Sequence, residues 1–73
     1  MPKLPSYTPR DVVKKLKKLG FVTHHQVGSH LTMKHPIHQT RAVIPIHLKD
    51  LKKGTLLAIL RESGIEKEEF VQA

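Results

Sequence analysis

The chain contains no cysteine among its 73 residues, which excludes disulfide bonds, thiolate chemistry and zinc sites built on sulfur. It has no apolar stretch close to the roughly 18 residues that a membrane span requires, and residues 1–7 carry no apolar run of signal-peptide length. Because disulfide-free small domains are typical of reducing compartments, we expect a cytoplasmic protein that does not associate with membranes.

The chain is also too short for a second domain or a deep pocket. We expect one domain over residues 1–73, with an extended lead-in at 1–7 and a short turn or helix at 65–73. A domain of this size buries only about 60% of the surface that its unfolded chain exposes. Any site should therefore be a shallow surface, which suits a polymer better than an enclosed metabolite.

Acidic residues are scarce over most of the chain. Residues 1–53 carry eleven lysines and arginines against two aspartates, a formal charge of +9, whereas residues 54–73 carry two basic residues against four glutamates, a charge of −2. This asymmetry indicates an anionic partner for the first part of the chain, with nucleic acid as the leading candidate. Only three aromatic residues are present, so recognition should depend on phosphate charge and shape more than on base stacking.

Local signals predict the helices and strands. Thr8 and Pro9 suit the cap and the first residue of a helix that ends at Gly20. Thr55 and Gly64 suit the cap and the end of a second helix. Between the helices, β-branched and aromatic residues predict three strands, which cover residues 21–27, 30–34 and 42–46.

The predicted order is α-β-β-β-α, an α+β fold with a three-stranded antiparallel sheet that carries helices on one face and is open on the other. Double-stranded-RNA-binding domains share this topology, which is an analogy at the level of the fold. Pro45 has no backbone donor and therefore favours an edge position for the third strand.

Several common catalytic arrangements have no support in the sequence. The carboxylates cluster near the end of the chain, no Ser–His–Asp arrangement is indicated, and no glycine-rich phosphate loop precedes a helix. Six histidines are present, but none form an i, i+4 pair on a predicted helix and no His-Glu-x-x-His motif occurs. In a regular strand His24 and His25 point to opposite faces. We therefore expect no metal site and no small-molecule cofactor.

His30 is the histidine whose surroundings suit RNA cleavage. Cleavage without a metal needs a group that moves a proton and positive charge or N–H donors at the phosphate, and histidine titrates near neutral pH. Gly28 and Ser29 predict a tight turn before His30, where a phosphate can approach backbone N–H groups. Lys34 and His35 add charge nearby. On these grounds alone, a solvated turn histidine is the simpler interpretation.

The chain resembles the HicA (YcfA-like) toxin family from about Lys3 to Val71. The matching motifs occur in order and at similar spacing: Leu19-Gly20-Phe21, Gly28-Ser29-His30, Pro45-Ile46-His47, Lys53-Gly54-Thr55-Leu56, Ile59-Leu60-Arg61 and Gly64-Ile65. The resemblance implies a double-stranded-RNA-binding-domain-like fold and an mRNA interferase, the toxin of a type II toxin–antitoxin system, bound by a HicB-type antitoxin protein. It also implies that His30 is the catalytic histidine.

The remaining candidate site residues are expected to bind RNA. Besides Gly28, Ser29, Lys34 and His35, we expect Lys52 and Lys53 to contact phosphate, because the start of the second helix adds to their field. The chain departs from the family at Leu31, where many members have a second histidine, so a two-histidine mechanism at the turn loses support; His35 or His47 would have to serve instead.

Two other functions remain open on the sequence. A non-catalytic RNA-binding module, such as a degenerate toxin, would share every basic feature of the chain. A pure interaction protein would use the open surface for a protein partner. His24, His25 and His38 match no motif and are interpreted as solvated or sheet-surface residues.

Overall fold

A computed structural model describes residues 6–73, so that most of the predicted lead-in, residues 1–5, lies outside the described range. The elements are α1 (Pro9–Lys18), β1 (Val22–Val27), β2 (His30–Lys34), β3 (Arg41–Pro45), α2 (Lys53–Ser63) and α3 (Lys67–Gln72). The α+β order α-β-β-β-α and the open three-stranded antiparallel sheet are confirmed. A third helix, α3, follows Gly64.

Both ends of α1 follow the sequence signals. The Thr8 side chain accepts a hydrogen bond from the Asp11 N–H at 3.1 Å, and the Asp11 carboxylate accepts from the Thr8 N–H at 3.3 Å, which forms a capping box. At the other end Gly20 has a φ of +100°. The N–H groups of Gly20 and Phe21 donate to the carbonyls of Lys17 and Leu16 and close the helix with a Schellman motif.

The sheet has the order β1-β2-β3, so β3 is an edge strand, as Pro45 predicted. Side chains alternate across it, with four apolar residues buried toward the helices: Leu31, Met33, Ala42 and Ile44. The intervening residues of β2 and β3 point to the other face, which we call the open face. Gly28 has a φ of +57° and Ser29 does not have a positive φ, which is the sign pattern of a type II′ hairpin turn.

The start of α2 differs from the prediction. Thr55 was expected to be the cap, but the helix begins at Lys53, its N-cap is Lys52, and no side chain caps its first N–H groups. The physical reason is a tertiary contact: Leu51 forms an isolated bridge with Tyr7, its N–H donating to the Tyr7 carbonyl at 2.8 Å. The chain is held there and enters the helix immediately afterwards, so Thr55 lies in the first turn.

The prediction that His24 and His25 point to opposite faces is wrong. The register passes from Thr23 opposite Met33 to His25 opposite Thr32, so β1 has one residue more than β2 at this point. Such a β-bulge interrupts the alternation of side chains. The two imidazole rings consequently meet, with ring centroids 5.0 Å apart.

The core lies between the sheet and the helices. Val12 and Leu16 of α1, Leu56 of α2 and Phe70 of α3 are all essentially inaccessible to solvent. The Phe70 ring packs edge-on against Tyr7, with the centroids 5.1 Å apart. Within residues 6–73, no helix combines the length and the hydrophobicity needed to cross a bilayer.

Candidate functional site

His30 lies at the point where the hairpin turn enters β2. It directly follows Gly28-Ser29, its backbone pairs with Pro45 of β3, and its side chain is exposed on the open face. The alternation of β2 determines this position, since the neighbouring Leu31 is buried in the core. Backbone pairing therefore fixes where the His30 side chain leaves the strand, and the side chain remains accessible to a large substrate.

His30 lines a shallow pocket of about 260 Å³. The sheet contributes His30, Val43 and Pro45, while α2 contributes Thr55, Ala58, Ile59 and Glu62. The pocket exists because α2 packs beside β3, as the ion pair between Arg41 and Glu62 at 3.4 Å also shows. That pair is largely solvated, so its contribution to stability is small. The pocket is open to solvent, as expected for a domain of this size.

His47 is the histidine whose ring lies beside that of His30. The two ring centroids are 6.0 Å apart, and the ring planes are tilted by 57°. The backbone holds this arrangement: the Ile46 N–H donates to the Ser29 carbonyl at 2.8 Å, and the Leu48 N–H donates to the Pro45 carbonyl at 3.3 Å, closing a turn that carries His47. The sequence left His47 as one of two alternatives for a second catalytic group, and the Pro45-Ile46-His47 motif was the signal that pointed to it.

Of the predicted phosphate-binding residues on the hairpin, two lie next to His30 and one lies far from it. Gly28 and Ser29 are its neighbours in the turn, and a Cβ built on Gly28 would meet no heavy atom within 4 Å, so the turn is open to an approaching group. Lys34 is on the open face at the far end of β2, opposite Arg41, roughly 13 Å along the strand.

The second helix carries two basic residues at its start, one turn or less before a residue that lines the pocket. Lys52 and Lys53 are exposed at the start of α2, and Thr55, in the first turn of this helix, lines the pocket. Helix N-termini present free N–H groups and a positive dipole end to anions. The pocket is thus lined by a histidine from the sheet and by the first turn of a helix, while the carboxylate of Glu62 lies farther along the same helix.

The structure does not bring His35 together with His30. Its side chain is only 9% exposed and its Nδ1 accepts hydrogen bonds from the N–H groups of Ile37 and His38 at 3.2 and 3.1 Å. The ring packs edge-on against Phe21, with centroids 5.2 Å apart. His35 lines a different pocket, of about 270 Å³, between the 35–40 loop and the end of α2. It organises this loop, an outcome that the sequence did not indicate.

The other histidines, His24, His25 and His38, do not line the pocket beside His30. His24 and His25 are exposed on β1, and His38 is exposed in the 35–40 loop, with its ring 4.4 Å from that of His35. Among residues 6–73, no three histidine, aspartate or glutamate side chains are grouped so that they could hold a metal ion.

Comparison with models of known protein families gives a match over most of the chain. A family model described as the HicA toxin of bacterial toxin–antitoxin systems matches residues 9–65. The matched range begins with α1 and includes the sheet, α2 and both His30 and His47. Comparison with individual curated proteins gives no match.

Proposed function

Because the chain belongs to the HicA toxin family, and is therefore a toxin of a bacterial toxin–antitoxin system, we propose that it is an endoribonuclease that cleaves mRNA without a metal cofactor. The observation that carries the proposal is the position of His30, an exposed residue whose backbone is held next to a hairpin turn and which lines an open pocket. A shallow pocket on the open face suits a flexible polymer, which can enter from the side.

His30 is the group proposed to move a proton during cleavage. In metal-free cleavage the 2′-hydroxyl of the RNA attacks the adjacent phosphorus, so a proton must leave the 2′-oxygen and another must reach the departing 5′-oxygen. An imidazole can accept or donate a proton near neutral pH. A single positioned acid or base of this kind contributes about 10²–10⁴-fold to the rate.

Backbone and lysine donors are proposed to hold the phosphates. The N–H groups of the Gly28-Ser29 turn lie next to His30, and turns of this kind bind anions. Lys52 and Lys53, at the start of α2, are suited to a neighbouring phosphate, and Lys34 extends the positive charge along the open face. His35 is not included, because its Nδ1 lone pair is already used by two backbone N–H groups away from the pocket.

The partner is proposed to be an acidic antitoxin of the HicB type. Family membership implies an antitoxin, and the open face carries Lys34 and Arg41 at the other end of the β2–β3 pair from His30. An acidic protein can compete with RNA for the same positive charges. Binding across the pocket would at the same time cover the histidine and block cleavage.

The proposal is tested by the His30→Ala variant in a fluorogenic RNA cleavage assay that contains EDTA. Because the side chain is exposed, we expect an unchanged melting temperature, nearly unchanged RNA affinity, and cleavage reduced about 10²–10⁴-fold. His38→Ala is the matched control, since it removes an exposed imidazole from a different part of the surface.

The possible results separate the alternative functions. Equal cleavage by His30→Ala and the wild type would remove His30 from the mechanism. RNA binding by the wild type without any cleavage would indicate a non-catalytic RNA-binding module. Absence of salt-sensitive RNA binding would indicate a protein whose open face serves only a protein partner.

A further inference from the structure

His47, one of the two alternatives that the sequence left for a second catalytic group, lies beside His30. They are 17 positions apart, yet their ring centroids are 6.0 Å apart. Both side chains are exposed, so the contact does not arise from packing in the core. Two features of the backbone bring them together: the pairing of His30 with Pro45, and the hydrogen bond from the Ile46 N–H to the Ser29 carbonyl.

On the basis of the ribonuclease function proposed above, we propose that His47 is the second catalytic residue and that the two histidines act as an acid–base pair on one phosphodiester. Proton-transfer catalysis requires each imidazole to be within about 2.6–3.2 Å of the oxygen that it serves. Two rings whose centroids are 6 Å apart can satisfy this at two oxygens of one phosphate. Apart from His30, the ionisable side chain that lines the pocket is Glu62, which pairs with Arg41.

The reaction balances with these two groups alone. The base removes the proton from the 2′-hydroxyl, and the 2′-oxygen forms a bond to phosphorus. The bond from phosphorus to the 5′-oxygen breaks, and the acid gives its proton to that oxygen. One fragment ends in a 2′,3′-cyclic phosphate and the other begins with a 5′-hydroxyl. The histidines exchange protonation states, which solvent restores, and no co-reactant is consumed.

The first test is the rate and pH profile of His47→Ala, with His38→Ala as the matched control. We expect kcat to fall about 10²–10⁴-fold, with RNA affinity and melting temperature nearly unchanged. The double variant of His30 and His47 should lose little more than either single variant, because groups that act as a unit are not additive. His47→Gln should be as defective as His47→Ala, since an amide cannot exchange the proton.

The pH profile distinguishes a catalytic role from a structural one. In the wild type, one imidazole must be neutral and the other charged, so kcat/KM should pass through a maximum with pH. The rising and the falling limb of this profile report the ionisation of the two imidazoles as a coupled pair and not that of either residue singly. Removal of either histidine should abolish one limb, whereas Glu62→Gln should retain both. Loss of a limb in Glu62→Gln would assign that limb to the carboxylate and overturn the pair.

The second test assigns the acid. An RNA with a single bridging sulfur in place of the 5′-oxygen has a leaving group that needs no protonation. The variant that lacks the acid should cleave this substrate at close to the wild-type rate, while the variant that lacks the base should stay defective. Rescue of neither variant, or of both, would overturn the proposed division of roles.

The two proposals fail in different ways. If the wild type does not cleave RNA, or if His30→Ala cleaves it normally, the ribonuclease function itself is wrong. If His30→Ala is inactive but His47→Ala keeps the wild-type kcat, or loses only affinity, the function stands and only the histidine pair is wrong.

Discussion

Replacement of Gly20 by alanine tests the local structure that connects α1 to the sheet. Gly20 has a φ of +100°, and a Cβ built at this position would lie 2.7 Å from Nε2 of His35. A positive φ costs a non-glycine residue about 1–3 kcal/mol. The clash adds about 1–3 kcal/mol, which is typical of overpacking, because the His35 ring is held by Phe21 and by two backbone N–H groups and cannot easily retreat.

The expected loss of about 2–6 kcal/mol is large against the roughly 4–11 kcal/mol of total stability for a domain of this length. Urea unfolding followed by circular dichroism measures it, with an unchanged m-value as the check on two-state behaviour. Gly54→Ala is the matched control: this glycine is in α2 with nothing within 4 Å of an added Cβ, so the change should stabilise by about 0.5–1 kcal/mol.

A double variant separates the two contributions. In a His35→Ala background, Gly20→Ala should cost less by the amount of the clash, and only the backbone term should remain. A free energy of unfolding for Gly20→Ala within about 0.5 kcal/mol of the wild type, which is the ordinary range for a surface substitution, would refute both the backbone and the steric reasoning.

Two further predictions concern lysines. The Lys15 ammonium donates to the backbone oxygens of Val71 and Ala73, at 3.3 and 2.9 Å. Lys15→Met should therefore lose about 1.5–3 kcal/mol in urea unfolding, while Lys14→Met, at an exposed position, should change little. If Lys52 and Lys53 contact phosphates, their joint replacement by alanine should make the slope of log K against log salt for single-stranded RNA shallower by about 1.4; an unchanged slope would remove both from the interface.

The parts of the fold that short-range signals determine could be predicted from the sequence. The capping box needs only Thr8 and Asp11, three residues apart, and the hairpin needs only a glycine that can adopt a positive φ before β2. The start of α2 could not be predicted in this way, because it depends on Leu51 pairing with Tyr7, far away in the chain. The bulge at His24 likewise depends on the register of two strands.

The candidate site likewise has features that the local sequence determines and features that depend on tertiary packing. The exposure of His30 follows from the alternation of β2, which the sequence contains. The wall that α2 adds to the pocket does not, because it depends on how the helix packs beside β3. His47 lies close to His30 because of the register of β3 against β2. The length of the 35–40 loop does not determine that register, so the sequence could not predict it.

The histidines proposed to be catalytic differ from the structural histidine in which of their atoms form hydrogen bonds, those of the backbone or those of the ring. The positions of His30 and His47 are set by backbone pairing and hydrogen bonds, and their rings are exposed, so a proton can come and go without disturbing the fold. His35 is the reverse case: its ring nitrogen accepts two backbone N–H groups, and protonation there would break both bonds. A residue that holds a loop together through its lone pair cannot also donate and accept protons during turnover. Variants at the first two positions should therefore change activity without changing stability, and variants at His35 should do the opposite.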